Sequence, residues 1–140
     1  MWSDRHVVES TASARAVLEG LVDVQRWNEH PGMKMAKLHG PLAVGRQITT
    51  KCVGLPSSTS TITVLDPPRV LTHEDRSPGL RGVFEHTVEP HGRGTRLVEI
   101  ATLTGPLSTL AGRVLDRRLR AAVVHNLGEV ARRAPQYEAH

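Results

Sequence analysis

Between residues 33 and 104 apolar and polar side chains alternate in short runs broken by proline and glycine. The runs are MKMAKLH (33–39), RQITTKCV (46–53), STSTITVLD (58–66), RVLTHEDR (69–76), LRGVFEHTVE (80–89) and TRLVEIATL (95–103), rich in residues that suit a pleated strand. Their separators, GPLAVG, GLPS, PP, SPG and PHGRG, are short enough to join antiparallel neighbours, which predicts six strands in a meander. On either side the period changes. Residues 5–11 (RHVVEST) predict one more short strand, and SARAVLEGLVD (13–23) predicts a helix capped by Ser10 or Ser13. DVQRWNEH (23–30) predicts a second short helix that starts at a capping Asp23 and stops at Pro31. After Gly105-Pro106, the residues Leu115, Leu119, Val123, Leu127 and Val130 recur at helical spacing, which predicts one long helix ended by Pro135. Residues 136–140 are expected as a loose tail. The expected fold is α+β: a curved antiparallel sheet of about seven strands wrapped around a long C-terminal helix, with two short helices after the first strand. A length of 140 residues suits one domain, 1–140.

The hairpin HTVEPHGRGTRLVEIA (86–101) sets the side-chain faces, because strand side chains alternate and a slip of one residue would invert them all. With Val88 opposite Leu97, His86 falls opposite Glu99, and both point inward with Phe84. Carried through the turn at 78–79, the register puts Leu71 beside His86, His73 beside Phe84 and Asp75 beside Gly82. Carried further, it turns Ser60, Ile62 and Val64 inward, and then Ile48, Thr50 and Cys52. Ala101 and Leu103 complete the inward set. Thr49, Lys51, Thr59, Thr61 and Thr63 fall on the opposite face, which suits water. The faces of 5–11 and 33–39 stay undecided at this point.

Four titratable residues in that inward set, His73, Asp75, His86 and Glu99, are too many for an ordinary core, since a buried charge without a partner is costly. They point to a wet cavity with mostly apolar walls and a few placed polar groups. His86 and Glu99 are the candidate catalytic pair, a general base and the carboxylate that orients it; the alternative is a buried pair that only sets register. The candidate ligand contacts are Trp27, Thr50, Ser60, Ile62, Leu71, His73, Asp75, Phe84 and Leu97, with Trp27 also suited to anchoring its helix in the core. His73, His86 and Glu99 are residue types found in two-histidine, one-carboxylate metal sites, but no sequential ligand spacing supports one and no metal is expected. Cys52 is the lone cysteine, so there is no disulfide framework, and it would act as a nucleophile only within reach of His73 or His86. PHGRG joins two strands, so its glycines serve a turn and not a phosphate cradle.

Charge changes the picture at one place. Between Arg113 and Arg133 six arginines stand against Asp116 and Glu129, which accounts for the whole formal charge of +4. They are spread around the helix, and 3% aromatic residues leave few platforms for stacking bases, so a solvated face or an acidic partner is expected and nucleic acid is not. No window approaches the roughly 18 apolar residues of a membrane helix, and the N-terminal residues lack a signal-peptide core. A cytoplasmic protein with no integral membrane segment is expected.

Five segments, in this order, resemble the START-like helix-grip superfamily, and within it the small bacterial polyketide cyclase/dehydrase and lipid-transport proteins. They are VDVQRWNEHPG (22–32), PLAVG (41–45), VLDPPRVL (64–71), GTRLVE (94–99) and TGP (104–106) ahead of the long helix. The resemblance implies a cavity between sheet and C-terminal helix that holds a small, largely apolar, oxygenated ligand, polyketide- or lipid-like, without a cofactor. It implies either cyclisation or dehydration by acid–base chemistry or, as the alternative, non-catalytic binding or transport. For the enzymatic case His86 is expected to remove a proton alpha to a carbonyl while Thr50, Ser60 or His73 hydrogen-bonds the enolate oxygen. His30 stands where the family's Trp-x-x-aromatic pattern usually has its second aromatic, which argues against a large planar ligand. An acyl carrier protein or other acidic partner at the C-terminal helix, and a homodimer, are further partners left open.

Overall fold

The alternating runs become one seven-stranded sheet in the computed structural model, which describes residues 1–138. The strands are β1 (Trp2–Ser10), β2 (Met33–His39), β3 (Gln47–Cys52), β4 (Ser58–Asp66), β5 (Val70–Ser77), β6 (Leu80–His91) and β7 (Gly94–Thr104). They lie in the order β1-β7-β6-β5-β4-β3-β2, every neighbouring pair antiparallel. The helices are α1 (Ala14–Val22) and α2 (Ser108–Arg133), with 3-10 helices over Val24–Glu29 and Ala134–Tyr137. This is the α+β helix-grip architecture, a curled sheet closed by a long C-terminal helix.

Turn chemistry sets the register. β6 and β7 are joined by Gly92 and Arg93 alone, with Gly92 at φ +60°, and this two-residue link pairs Val88 with Leu97 and His86 with Glu99. Pro78 and Gly79, the latter at φ +77°, make the next turn and place His73 beside Phe84. One expected face is wrong. β4 carries a register shift between Ile62 and Val64, so Ile62 still pairs with His73 while Val64 pairs with Thr72. The bulge turns Val64 outward, 44% exposed, and Leu65 takes the inward place against the core.

Several boundaries also move. β1 begins at Trp2, and its alternate residues Asp4, His6 and Val8 stand opposite Ala101, Glu99 and Leu97. On β2 the buried position is Ala36. Ser13 caps α1 by accepting the Ala16 amide hydrogen at 3.2 Å, whereas the Ser10 hydroxyl donates to the Ala131 carbonyl at 2.9 Å and ties β1 to α2. Asp23 does not cap the following turn; its carboxylate accepts the Tyr137 hydroxyl at 2.7 Å. Residues 136–138 are therefore no loose tail: the Tyr137 ring lies over Gly20, and Glu138 accepts the Ser13 amide hydrogen. Residues 139–140 lie outside the described residues.

At one end the fold is filled. Val17 and Leu21 of α1, Val24, Ile62, Leu71, Leu97, and Leu127 and Val130 of α2 pack together, none more than 2% exposed. Toward its N-terminus α2 is held to one side. The Trp2 indole donates to Asp116 at 2.8 Å, and Arg120 joins Asp116 to Asp4 while lying over the Trp2 ring. Gly112 leaves the space that ring occupies, since a Cβ there would sit 2.7 Å from Trp2. Docked on β1 in this way, α2 faces β3, β4 and β5 across open space.

Candidate functional site

That space is a cavity of about 350 Å³. The sheet supplies Thr50, Ser60, His73, Asp75, Phe84, His86 and Glu99; α2 supplies Leu115, Leu119, Ala122 and Val123; Trp27 and Met33 close one side. Of the expected ligand contacts, Trp27, Thr50, Ser60, His73, Asp75 and Phe84 line it. Ile62, Leu71 and Leu97 do not. They face inward as the register requires, but α1 and the end of α2 press on that region, and all three are enclosed in the filled core.

Neighbouring strands bring His86 and Glu99 together, His86 Nε2 bonding to Glu99 Oε1 with both residues buried. His86 Nδ1 lies 3.2 Å from the Leu71 carbonyl oxygen. A carbonyl only accepts, so Nδ1 carries a hydrogen, and the bond from Nε2 to Oε1 then requires one further proton on the pair, on the ring or on the carboxyl. Both ring nitrogens of His86 are thus engaged. Glu99 Oε2 is buried without a hydrogen-bond partner, on a residue that lines the cavity. The Trp27 indole N–H is buried on the same cavity and is likewise unpartnered.

His73 stacks between Phe84 and His86, ring centroids 5.1 and 5.4 Å apart. Its Nδ1 bonds to the Ser60 hydroxyl at 2.8 Å. Burial first, and then the charge at His86, push its pKa down to about 3, so its ring is neutral near pH 7. Asp75 is satisfied on both oxygens, by the Ser58 hydroxyl at 2.8 Å and the Gly82 amide at 3.1 Å, which fits a structural part at the mouth. Gly82 is needed for this, since a Cβ there would fall 2.6 Å from Asp75 Oδ1. Cys52 touches Met33 sulfur at 4.0 Å and neither histidine, and burial pushes its thiol pKa up, which suits an inert side chain. Among the described residues no three His, Cys, Asp or Glu converge as a metal set.

Sequence reasoning missed a polar member of the site. Asn126 sits on α2 one turn after Ala122 and bonds to His30 Nδ1 at 2.8 Å. Its helical offset from Leu119 and Val123 is a usable signal, masked because a polar residue beside an apolar stripe reads as solvated. His6 stands opposite Glu99 on the other side from His86 but does not line the cavity. No signal in the chain fixes the face of β1.

A curled sheet and long helix around a cavity with mostly apolar walls and a few polar groups define a helix-grip protein with a ligand-sized cavity. Residues 1–134 match the family described as polyketide cyclase/dehydrase and lipid transport, and the chain belongs to that family. No curated protein sequence matches it. Solved structures share its fold at low identity. The aromatase/cyclase Zhui from Streptomyces sp. R1128 superposes with a TM-score of 0.72 at 20% identity, covering 94% of each chain. The di-domain aromatase/cyclase StfQ of the steffimycin biosynthetic pathway gives 0.78 at 14%, covering 96% of this chain and 50% of its own, so this chain spans half its length. Norcoclaurine synthase from Thalictrum flavum gives 0.72 at 11%, covering 94% of this chain and 91% of its own. Among the described residues no helix is long and apolar enough to cross a membrane.

Proposed function

We propose that this protein binds a small, largely apolar, oxygenated molecule, polyketide- or lipid-like, in the cavity and cyclises or dehydrates it with Glu99 as the acid–base group. The observation that carries this reading is Glu99 Oε2, a buried carboxyl oxygen with no protein partner on a residue that lines the cavity, held in place by His86 through its other oxygen. As a carboxylate, Oε2 takes a proton alpha to a ligand carbonyl. The resulting acid returns it to the oxygen formed or expelled, so no net proton is gained by the protein. His86 fixes the carboxyl, and its engaged nitrogens exclude it from direct proton transfer. The Trp27 N–H, the Thr50 hydroxyl and neutral His73 are the groups placed to hydrogen-bond an enolate oxygen. Apolar walls from α2 hold the chain folded against them.

The alternative is a carrier that uses the same polar groups only to orient its cargo, and the mostly apolar wall favours it as much. Turnover separates the two. On a short poly-β-ketone thioester, Glu99→Gln is expected to lower kcat by about 10²-fold or more with affinity nearly unchanged. A wild-type protein that binds the thioester without converting it, and whose Glu99→Gln variant only binds less well, would establish the carrier instead.

A further inference from the structure

Beside the main cavity lies a second hollow of about 360 Å³. Met33, Cys52, Ala122 and Asn126 line both, so the two adjoin. Their chemistry differs sharply. The second hollow is walled by Arg117, Arg118 and His125 of α2 and by His30, and no carboxylate lines it. Of the other arginines of α2, Arg120 pairs with Asp4 and Asp116, Arg132 with Glu129, and Arg133 with Glu129 and Glu29, while exposed Arg113, outside the hollow, has no such partner among the described residues. Arg117 and Arg118 have no hydrogen-bond or ion-pair partner among the described residues. The stem of Arg118 lies against Gly54, whose φ of +81° and missing side chain let it rest there, with its Cδ 3.4 Å from where a Cβ would be. Asn126 offers its carbonyl oxygen to His30, which turns its amide nitrogen free.

We propose that this hollow binds the oxyanion end, a carboxylate or a phosphate, of the same ligand whose apolar body occupies the main cavity. The proposal rests on the ligand-binding reading of that cavity and narrows its class to amphipathic anions. A planar guanidinium forks onto two oxygens of such a group, and two unpaired guanidiniums in a concave wall favour it more than two on an open helix face.

Two fluorophores with the same aromatic body test this: anilinonaphthalene sulfonate, which carries an anion, and phenylnaphthylamine, which does not. Wild-type protein is expected to bind the sulfonate about 10-fold more tightly or better, and the double variant Arg117→Ala, Arg118→Ala to lose that preference while its affinity for the neutral probe stays put. Equal affinity of the wild type for both probes, or equal loss of both in the double variant, overturns the proposal. Inorganic phosphate reads the hollow alone, by NMR shifts at His125 and Asn126 that the double variant abolishes. If phosphate shifts them and neither fluorophore binds, the oxyanion site stands and the cavity reading falls. If phosphate leaves them unmoved, the oxyanion site falls whatever the fluorophores do.

Discussion

The two halves of the space between sheet and helix share the same strands yet end as opposite things. Where α1 and the last turns of α2 cover it, inward side chains such as Leu71 and Leu97 are sealed; where the middle turns of α2 stand off, the same strands turn Thr50, His73 and Phe84 to a cavity backed by the buried pair His86 and Glu99. Strand alternation therefore chooses which side chains face in, and helix placement chooses whether facing in means core or site. Removing a group from each half should give effects of different kind.

The largest effect is expected at the boundary between the halves. His86→Leu leaves the buried Glu99 carboxyl without its partner and should cost about 3–5 kcal/mol in urea unfolding. Replacing both, His86→Leu with Glu99→Leu, removes the stranded group and should cost less than the single change. A single variant as stable as wild type would mean that the pair is solvated and that the boundary lies elsewhere.

Next come the apolar side chains. Leu71→Ala or Leu97→Ala, in the sealed half, should lose about 2–5 kcal/mol, because the packed surroundings cannot collapse onto the space left. Leu115→Ala and Leu119→Ala, which already border open space, should lose under about 1 kcal/mol. Equal losses on both sides would erase the comparison.

Much of this contrast is legible in the amino-acid sequence. The HTVEPHGRGTRLVEIA hairpin dictates the pairing of His86 with Glu99, because a two-residue link with glycine admits few registers and only one turns Val88 and Leu97 inward together. The strands 33–39 and 58–66 have the bounds that their punctuation indicates. What does not show has local or long-range causes. The bulge that expels Val64 costs one extra residue and leaves no compositional mark. The sealing of Ile62, Leu71 and Leu97 depends on how α1 and α2 dock, which strand alternation does not encode. The engagement of both His86 ring nitrogens depends on the Leu71 carbonyl, a backbone group that no side-chain pattern reveals.

pH gives a further contrast. His73 has a folded pKa of about 3 against an ordinary 6.5, so the unfolded chain takes up a proton below pH 6.5 that the folded chain refuses until about 3. Its contribution is complete above 6.5 and is lost as pH falls through that window, by about 1.4 kcal/mol per unit. Between pH 7 and pH 5, His73→Phe should therefore lose about 2 kcal/mol less stability than wild type. Identical slopes would place His73 in water and not behind Phe84.

The smallest effect on stability should accompany the largest on binding. Leu119 points from α2 into a space of about 350 Å³, so Leu119→Trp adds bulk where no packed neighbour is displaced and should change unfolding free energy by under about 1 kcal/mol. The same indole removes room from the ligand. Affinity for the neutral phenylnaphthylamine should fall about 10-fold or more, because the probe can regain its burial only by pushing the new ring out. Placing tryptophan at Leu127, eight residues on and in the sealed half, should do the reverse: it strains a packed core by about 1–3 kcal/mol and leaves the cavity's shape largely alone. A Leu119→Trp protein that unfolds as readily as Leu127→Trp would show that the space closes in solution, and that the open half is core after all.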